Sequence, residues 1–496
     1  MKFSSSKMIL VAAVTLCSVW IAGCSDLLEP NIYSELTPET FFNTEEDFNQ
    51  ALVSIYSPFN VDWGGIYNAD PARYFGHSMI TTDELHSQWH STFTDFTWGA
   101  GTGQLNTTFN QIRTVSIATD VIHQLETSDA NISDEVRNRY AAEARALRGW
   151  LNFILYDYFG PVPSRMDPAE LYSLDMDARP TDEEFLQWII DDLNAAIPGL
   201  RDSYHSDMAN WGRMSKGAAR MLLLRTYMNT HQWSQAEQVA RDIMAMGIYS
   251  LQGDYFSIFN EKANPEIIHA IPGTAAAPNW WMPEVLTGNF DRTTDDWPIQ
   301  FNPNFTGWTV YWMPWGFYDT FDPDDERLHG ILDQYVHTNG SIADRTGGTG
   351  GTVMQGAIPL KFTILANPNN QGQPLDYPIF RYAEVLLSLA EAINEQNGGP
   401  TAEAEGYLNQ IRDRVGLDPL IGLNQSEFRD ALLRERGHEF HGEVMRRQDL
   451  IRHGKYIDNA LERGKTNAQA HHVRFPIPNS VITEGDGVIE QNPGYN

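Results

Sequence analysis

The chain has 496 residues, a formal net charge of -31 at pH 7, 14 Trp and only two cysteines. So acidic a surface repels nucleic acid and anionic lipid, and it disfavours a strongly polyanionic ligand unless a local basic patch overrides the total. The length is ample for a large core, as one big domain or as two to three ordinary ones. The first element, residues 1–23, reads as a secretory signal: Lys2 and Lys7 precede an apolar stretch from Met8 to Trp20, which ends in Ile21-Ala22-Gly23-Cys24. A cysteine at the first mature position looks like a bacterial lipobox, so Cys24 is the expected lipidation site, and several acyl chains would give durable anchoring. Cys17 lies in the removed part and Cys24 would be acylated, which leaves no thiol for disulfides, zinc or nucleophilic chemistry.

Residues 60–106 break the helical pattern. They are rich in Gly, Asn, Thr and aromatics and predict loops and short strands, with Trp63, Trp89 and Trp98 among them and Arg73 and Asp83 nearby. The segments Phe109 to Leu125 and Val136 to Tyr158 then predict a long helix pair. Thr181-Asp182-Glu183-Glu184 is a capping box that opens a helix through Ile190 and Ile197. Ala218, Met221, Leu224 and Met228 mark the next amphipathic face, followed by Ser234-Gln235-Ala236-Glu237 as a second capping box and a partner helix to Gly247.

A second aromatic region runs from 272 to 370. It holds Trp280, Trp281, Trp297, Trp308, Tyr311, Trp312 and Trp315, with Asn279, Asn289 and Arg292 as polar neighbours, and Asp322-Pro323 is expected to start a short helix. Helix pairing resumes with Tyr382, Val385, Leu386, Leu389 and Ile393 on one face. A break at Gly398 and a partner face of Ala404, Leu408, Ile411 and Val415 follow, and Gly416 suits a left-handed cap. Helix pairs at this scale point to a mainly α fold of tetratricopeptide-like pairs, with long aromatic-rich loops and short strands inserted. The expected layout is a helical scaffold over about 31–272 and 371–496, with a loop-rich ligand-binding insertion over about 273–370.

Indole and phenol faces can lie against the C–H faces of sugar rings while Asn, Asp and Arg bond the hydroxyls, the usual make-up of a ligand site. The candidate ligand residues are therefore Arg73, Asp83, Trp89, Trp98, Trp280, Trp281, Trp308, Tyr311, Trp312 and Trp315. Any single Trp is more readily explained as sealing a loop onto the scaffold. No metal or cofactor is expected. His86 and His90, four apart, lack the Glu of a metalloprotease helix, and His438-Glu439-Phe440-His441 is one residue short of that motif. The Gly-rich stretches 99–103 and 347–351 lack a following Lys-Ser or Lys-Thr and read as turns. The mixed-charge run Arg434, Glu435, Arg436, Glu439, Glu443, Arg446, Arg447 and Asp449 reads as ion pairs that lock helices together.

Four stretches resemble the SusD/RagB family of outer-membrane nutrient-binding lipoproteins. They are CSDLLEP with the following TPETFFNTEEDFNQALVSIYSPF; ALRGWLNFILYDYFGPVP; Pro378 to Val385; and ERGHEFHGEVMRRQDLIRHGKY with FPIPNSVI and QNPGY. His438 and the His441-Gly442-Glu443 order depart slightly from the family pattern. The resemblance implies a tetratricopeptide-containing α fold that is not an enzyme, held on the outer face of the outer membrane by its N-terminal lipid. It also implies a SusC-like TonB-dependent transporter as partner, over which the chain acts as a lid that delivers oligosaccharide or polysaccharide. Two other readings are carried: a surface-anchored glycoside hydrolase, since an acidic chain offers many carboxylate pairs, and a helical-repeat scaffold that binds peptide or protein.

Overall fold

The computed structural model describes residues 41–62, 64–70, 72–291, 307–362 and 372–495. Cys24 and the whole N-terminal signal, together with Trp63, Arg292 and Trp297, lie outside the described residues. Nine helices of twelve or more residues occur among the described residues: α1 Glu45–Tyr56, α2 Ile112–Thr127, α3 Asp134–Phe159, α4 Asp182–Ala196, α5 Lys216–Asn229, α6 Trp233–Ala245, α7 Tyr382–Asn397, α8 Ala402–Arg414 and α9 Gln425–Phe440. From α2 to α8 each packs on the next, including α6 on α7 across the long intervening segment. Pairs that are scattered along the sequence thus form one continuous stack, because each amphipathic face is buried only when the neighbouring helix covers it.

The helix ends follow local chemistry. Thr181 and Glu184 satisfy each other's backbone amides at the start of α4, and Gly398 (φ +67°) and Gly416 (φ +77°) take left-handed conformations just past α7 and α8. Two expectations are corrected. Ser234 caps nothing: a turn at His231 (φ +58°) lets α6 begin at Trp233, so Ser234 falls inside its first turn. Asp322-Pro323 forms a turn, and Asp325 instead caps the short helix Glu326–Gly330 through the Arg327 amide.

Strands β1 (Ile267–Ile271) and β7 (Tyr377–Arg381) pair antiparallel, which brings Ile271 opposite Tyr377 at the two ends of the segment between them. That segment carries the short strands β2 (Met313–Pro314), β3 (Ile331–Leu332), β4 (Tyr335–Val336), β5 (Ile342–Ala343) and β6 (Gly356–Pro359). β6 lies between β2 and β3, and β4 pairs with β5.

The mixed-charge run is structural. Arg327, Lys361, Arg381, Arg412 and Arg414 meet Glu266, Asp325, Glu435, Glu439 and Glu443 in one largely buried network of five cations and five carboxylates. Arg381 alone reaches Glu439 (2.8 Å) and both Glu443 oxygens (2.7 and 2.8 Å). Balance matters because a buried charge without its partner costs several kcal/mol. Arg436 pairs with Asp449 and Arg447 with Asp157, which ties α9 and the helix after it to the rest of the stack. His438 stacks on Phe321 at 3.9 Å and meets Thr320 Oγ1 at 2.9 Å, so it packs α9 against the inserted segment.

Candidate functional site

The two aromatic regions meet at Trp312. The residue directly before β2, it exchanges two backbone hydrogen bonds with His86 (2.9 and 3.1 Å), and the two rings lie 4.8 Å apart. Its indole edge is pressed against β6 at Gly356, where a Cβ would sit 2.4 Å from Trp312 Cδ1 and 2.3 Å from the Met313 oxygen. Only a residue without a side chain lets the ring lie there. Trp312 is 8% exposed and forms a wall shared by two cavities. One, of about 670 Å³, is lined by Asp83, His86, Phe317, Thr320, Gln355, Asn459, Arg463 and Lys465. The other, of about 240 Å³, is lined by Gln88, Asn289, Tyr335, His337 and Gln355. Trp89 follows Gln88 on a single helical turn, Gln88–His90, and is 59% exposed. His86 and His90 therefore do not share a helix face.

The charges of the larger cavity are set by burial and by neighbours. Burial alone would raise the Asp83 carboxyl, but the Arg446 guanidinium overrides it and holds the pKa below its ordinary value. Arg446 grips both Asp83 oxygens at 2.8 Å, and Asn459 donates a third bond at 2.8 Å. Burial, helped by nearby Lys465, pushes His86 down to about 4, so it is neutral at pH 7. Lys465 is paired with Asp95 at 2.8 Å.

The other predicted ligand residues are dispersed. Trp98, Trp281 and Tyr311 are sealed in the core: Trp98 donates to the Tyr495 hydroxyl (2.9 Å), Trp281 to the Pro359 carbonyl (3.3 Å), and Tyr311 to the Ala69 carbonyl. Trp280 and Trp308 form a half-buried stack with centroids 5.6 Å apart, and Trp280 donates to Asp62. Trp315 is half-buried, donates to the Met354 carbonyl, and has one face covered by Arg345 at 4.1 Å. Arg73 sits at the start of the helix Tyr74–Ile80, 4.0 Å from Asp70. Asn279 is buried in a backbone bridge to Gln373.

Sequence reasoning missed two groups. Asn459, Arg463 and Lys465 come from the C-terminal part of the chain, and the only local signal is the pair of cations in Arg463-Gly464-Lys465 within so acidic a sequence. Glu284 is 3% exposed, and burial together with the Asp70 charge pushes its carboxyl up to about 8.

Residues 303–495 match the model of the SusD family, and residues 26–228 match a related family described as "Starch-binding associating with outer membrane". A SusD-like protein of Formosa agariphila is 25% identical over 95% of this chain and 97% of its own length. The starch-binding protein SusD of Bacteroides thetaiotaomicron is 25% identical over 73% of this chain and 74% of its own. Among solved structures, surface glycan-binding protein A from Bacteroides thetaiotaomicron in complex with laminarihexaose superposes with a TM-score of 0.71 at 21% identity, over 91% of this chain and all of that one. The stacked helix pairs are the tetratricopeptide-like scaffold of those relatives, and with family matches at both ends and alignments running nearly end to end, the chain belongs to the SusD/RagB family.

Proposed function

We propose that this chain is a surface lipoprotein that binds oligosaccharide or polysaccharide and passes it to a partner TonB-dependent outer-membrane transporter, over which it acts as a lid. The observation that carries the reading is the convergence of both aromatic loops on Trp312, a preset indole wall with a cavity on either side and the exposed Trp89 nearby. Such a site joins flat apolar area to a few placed polar groups. The relatives' names, starch-binding and glycan-binding, support a sugar ligand, and the family description "associating with outer membrane" supports the location. An acyl chain on Cys24 would hold the lid near its transporter and raise their effective concentration. The ligand platform we favour is Trp312 with Trp89, and the half-buried Trp280–Trp308 stack is a second aromatic pair. Asp83, bridged by Arg446 and Asn459, serves as a wall that positions its neighbours.

Affinity gel electrophoresis and calorimetry against a panel of polysaccharides test the reading. Binding is expected without release of new reducing ends, weakened at least tenfold in Trp312→Ala and several-fold in Trp89→Ala. Retention identical to wild type in both variants would overturn the placement of the site, and steady product release would favour a hydrolase instead. Cys24→Ala is expected to leave glycan binding intact while impairing uptake by cells.

A further inference from the structure

Fully buried Arg and Lys side chains in this protein each pair with a carboxylate, whereas half-buried guanidiniums such as Arg137, Arg179 and Arg463 hold neutral acceptors only, and of these three Arg463 alone lines the larger cavity. In the helical stack the buried cations each face carboxylates, five against five in the central network. At the larger cavity the lining cations are Arg463 and Lys465, and Arg446 stands behind the lining Asp83. Arg446 occupies both oxygens of Asp83. Arg463 is left with neutral partners only: its Nε donates to the Asn459 backbone oxygen and Oδ1 (3.3 and 3.0 Å), and one terminal nitrogen donates to the Thr81 carbonyl (3.1 Å). Among the described residues no carboxylate lies within 4.0 Å of it. The other cation in the wall, Lys465, is neutralised by Asp95, and the remaining carboxylate, Glu462, is solvent-exposed.

A half-buried guanidinium held in place by neutral acceptors, with donor capacity left over, is a preorganised partner for an anionic oxygen. The rest of the wall suits a sugar ring: Trp312, Pro314 and Phe317 give apolar faces, and the exposed Gln355 amide can bond hydroxyls. We propose that the larger cavity is the subsite for a sugar bearing an anionic group, a uronate carboxylate or a sulfate ester, with Arg463 as its counter-ion. This rests on the glycan-binding reading above and narrows it. The net charge of -31 repels such ligands at long range, so the local cation must supply the discrimination, and a sparsely charged glycan fits better than a dense polyanion.

Calorimetry on the purified full chain with three probes of equal length decides the matter: a uronic-acid oligosaccharide, a sulfated galactan oligosaccharide and a neutral glucan oligosaccharide. At least one charged probe is expected to bind about tenfold or more tightly than the neutral one, and which of the two does so identifies the anion. Arg463→Gln, which keeps a donor for the Thr81 carbonyl, should abolish that preference, weakening the charged probe about tenfold and the neutral probe far less. Glu462→Gln should tighten the charged probe several-fold, and thermal melting checks that both variants are folded. Preference for the neutral probe, or a charged preference untouched by Arg463→Gln, overturns the inference and leaves the glycan-binding reading standing. Absence of binding to all three probes and to the wider polysaccharide panel overturns both.

Discussion

Glu284 lies on the short helix Trp281–Val285, 3% exposed, with its backbone carbonyl accepting from the Val310 and Tyr311 amides and no partner for its carboxyl among the described residues. Burial first, and the Asp70 charge second, push its pKa from the ordinary 4.5 up to about 8. Between those values the unfolded chain has lost the proton and the folded chain keeps it, so stability falls as pH rises. Each pH unit is worth about 1.4 kcal/mol, or about 3 kcal/mol from pH 5.5 to 7.5. Glu284→Gln has the shape of the protonated acid and does not titrate, so it should match wild type near pH 4.5 and overtake it progressively above. Unfolding entropy of about 2.1 cal/mol/K per residue gives about 1 kcal/mol per kelvin for a chain this long, so the gap in Tm should widen by about 3 °C across that window. Calorimetric scans of both proteins from pH 4.5 to 8 measure it. Two melting curves that stay parallel across the range would refute the assignment of a buried protonated carboxyl.

Gly356→Ala would drive a Cβ into the Trp312 edge and the Met313 carbonyl, so it should cost about 1–3 kcal/mol and weaken glycan binding without touching ligand, read by melting and affinity gels together. Arg381→Met strips one cation from Glu266, Glu439 and Glu443, and a loss of about 3–5 kcal/mol is expected in urea unfolding. Thr181→Ala should lose about 1 kcal/mol as a helix cap, whereas Ser234→Ala should lose almost nothing, because Ser234 makes no cap; equal losses would contradict the helix start at Trp233.

Helices were legible in the sequence because their determinants are local: apolar residues at helical spacing, Thr181 with Glu184, and Gly398 and Gly416 at positions that need φ > 0. The misplaced start of α6 has a local cause too, since the left-handed turn at His231 has no sequence mark that competes with a Ser-x-x-Glu pattern. The aromatic loops were legible as a class but not residue by residue. Whether an indole is sealed or open depends on partners far along the chain: Trp98 is closed by Tyr495, Trp281 by Pro359, and Tyr311 by Ala69. Arg463 was invisible for the same reason, because nothing in its own neighbourhood places it beside Trp312.

The balanced ion-pair core has a consequence for the loops it supports. Glu443 binds Lys361 of the inserted segment, Arg446 binds Asp83 of the first aromatic region, and His438 stacks on Phe321. A single stretch of chain, from His438 near the end of α9 to Arg446, therefore fastens both cavity-forming regions to the helical stack through directional contacts. Walls held in this way are ordered before ligand arrives, so binding loses less conformational entropy than it would with free loops. Apart from Asp83, which also lines the larger cavity, the fasteners are distinct from the faces that meet it. Loop residues such as Trp89 or Gln355 can change, and with them the preferred glycan, while the contacts that position the loops stay as they are.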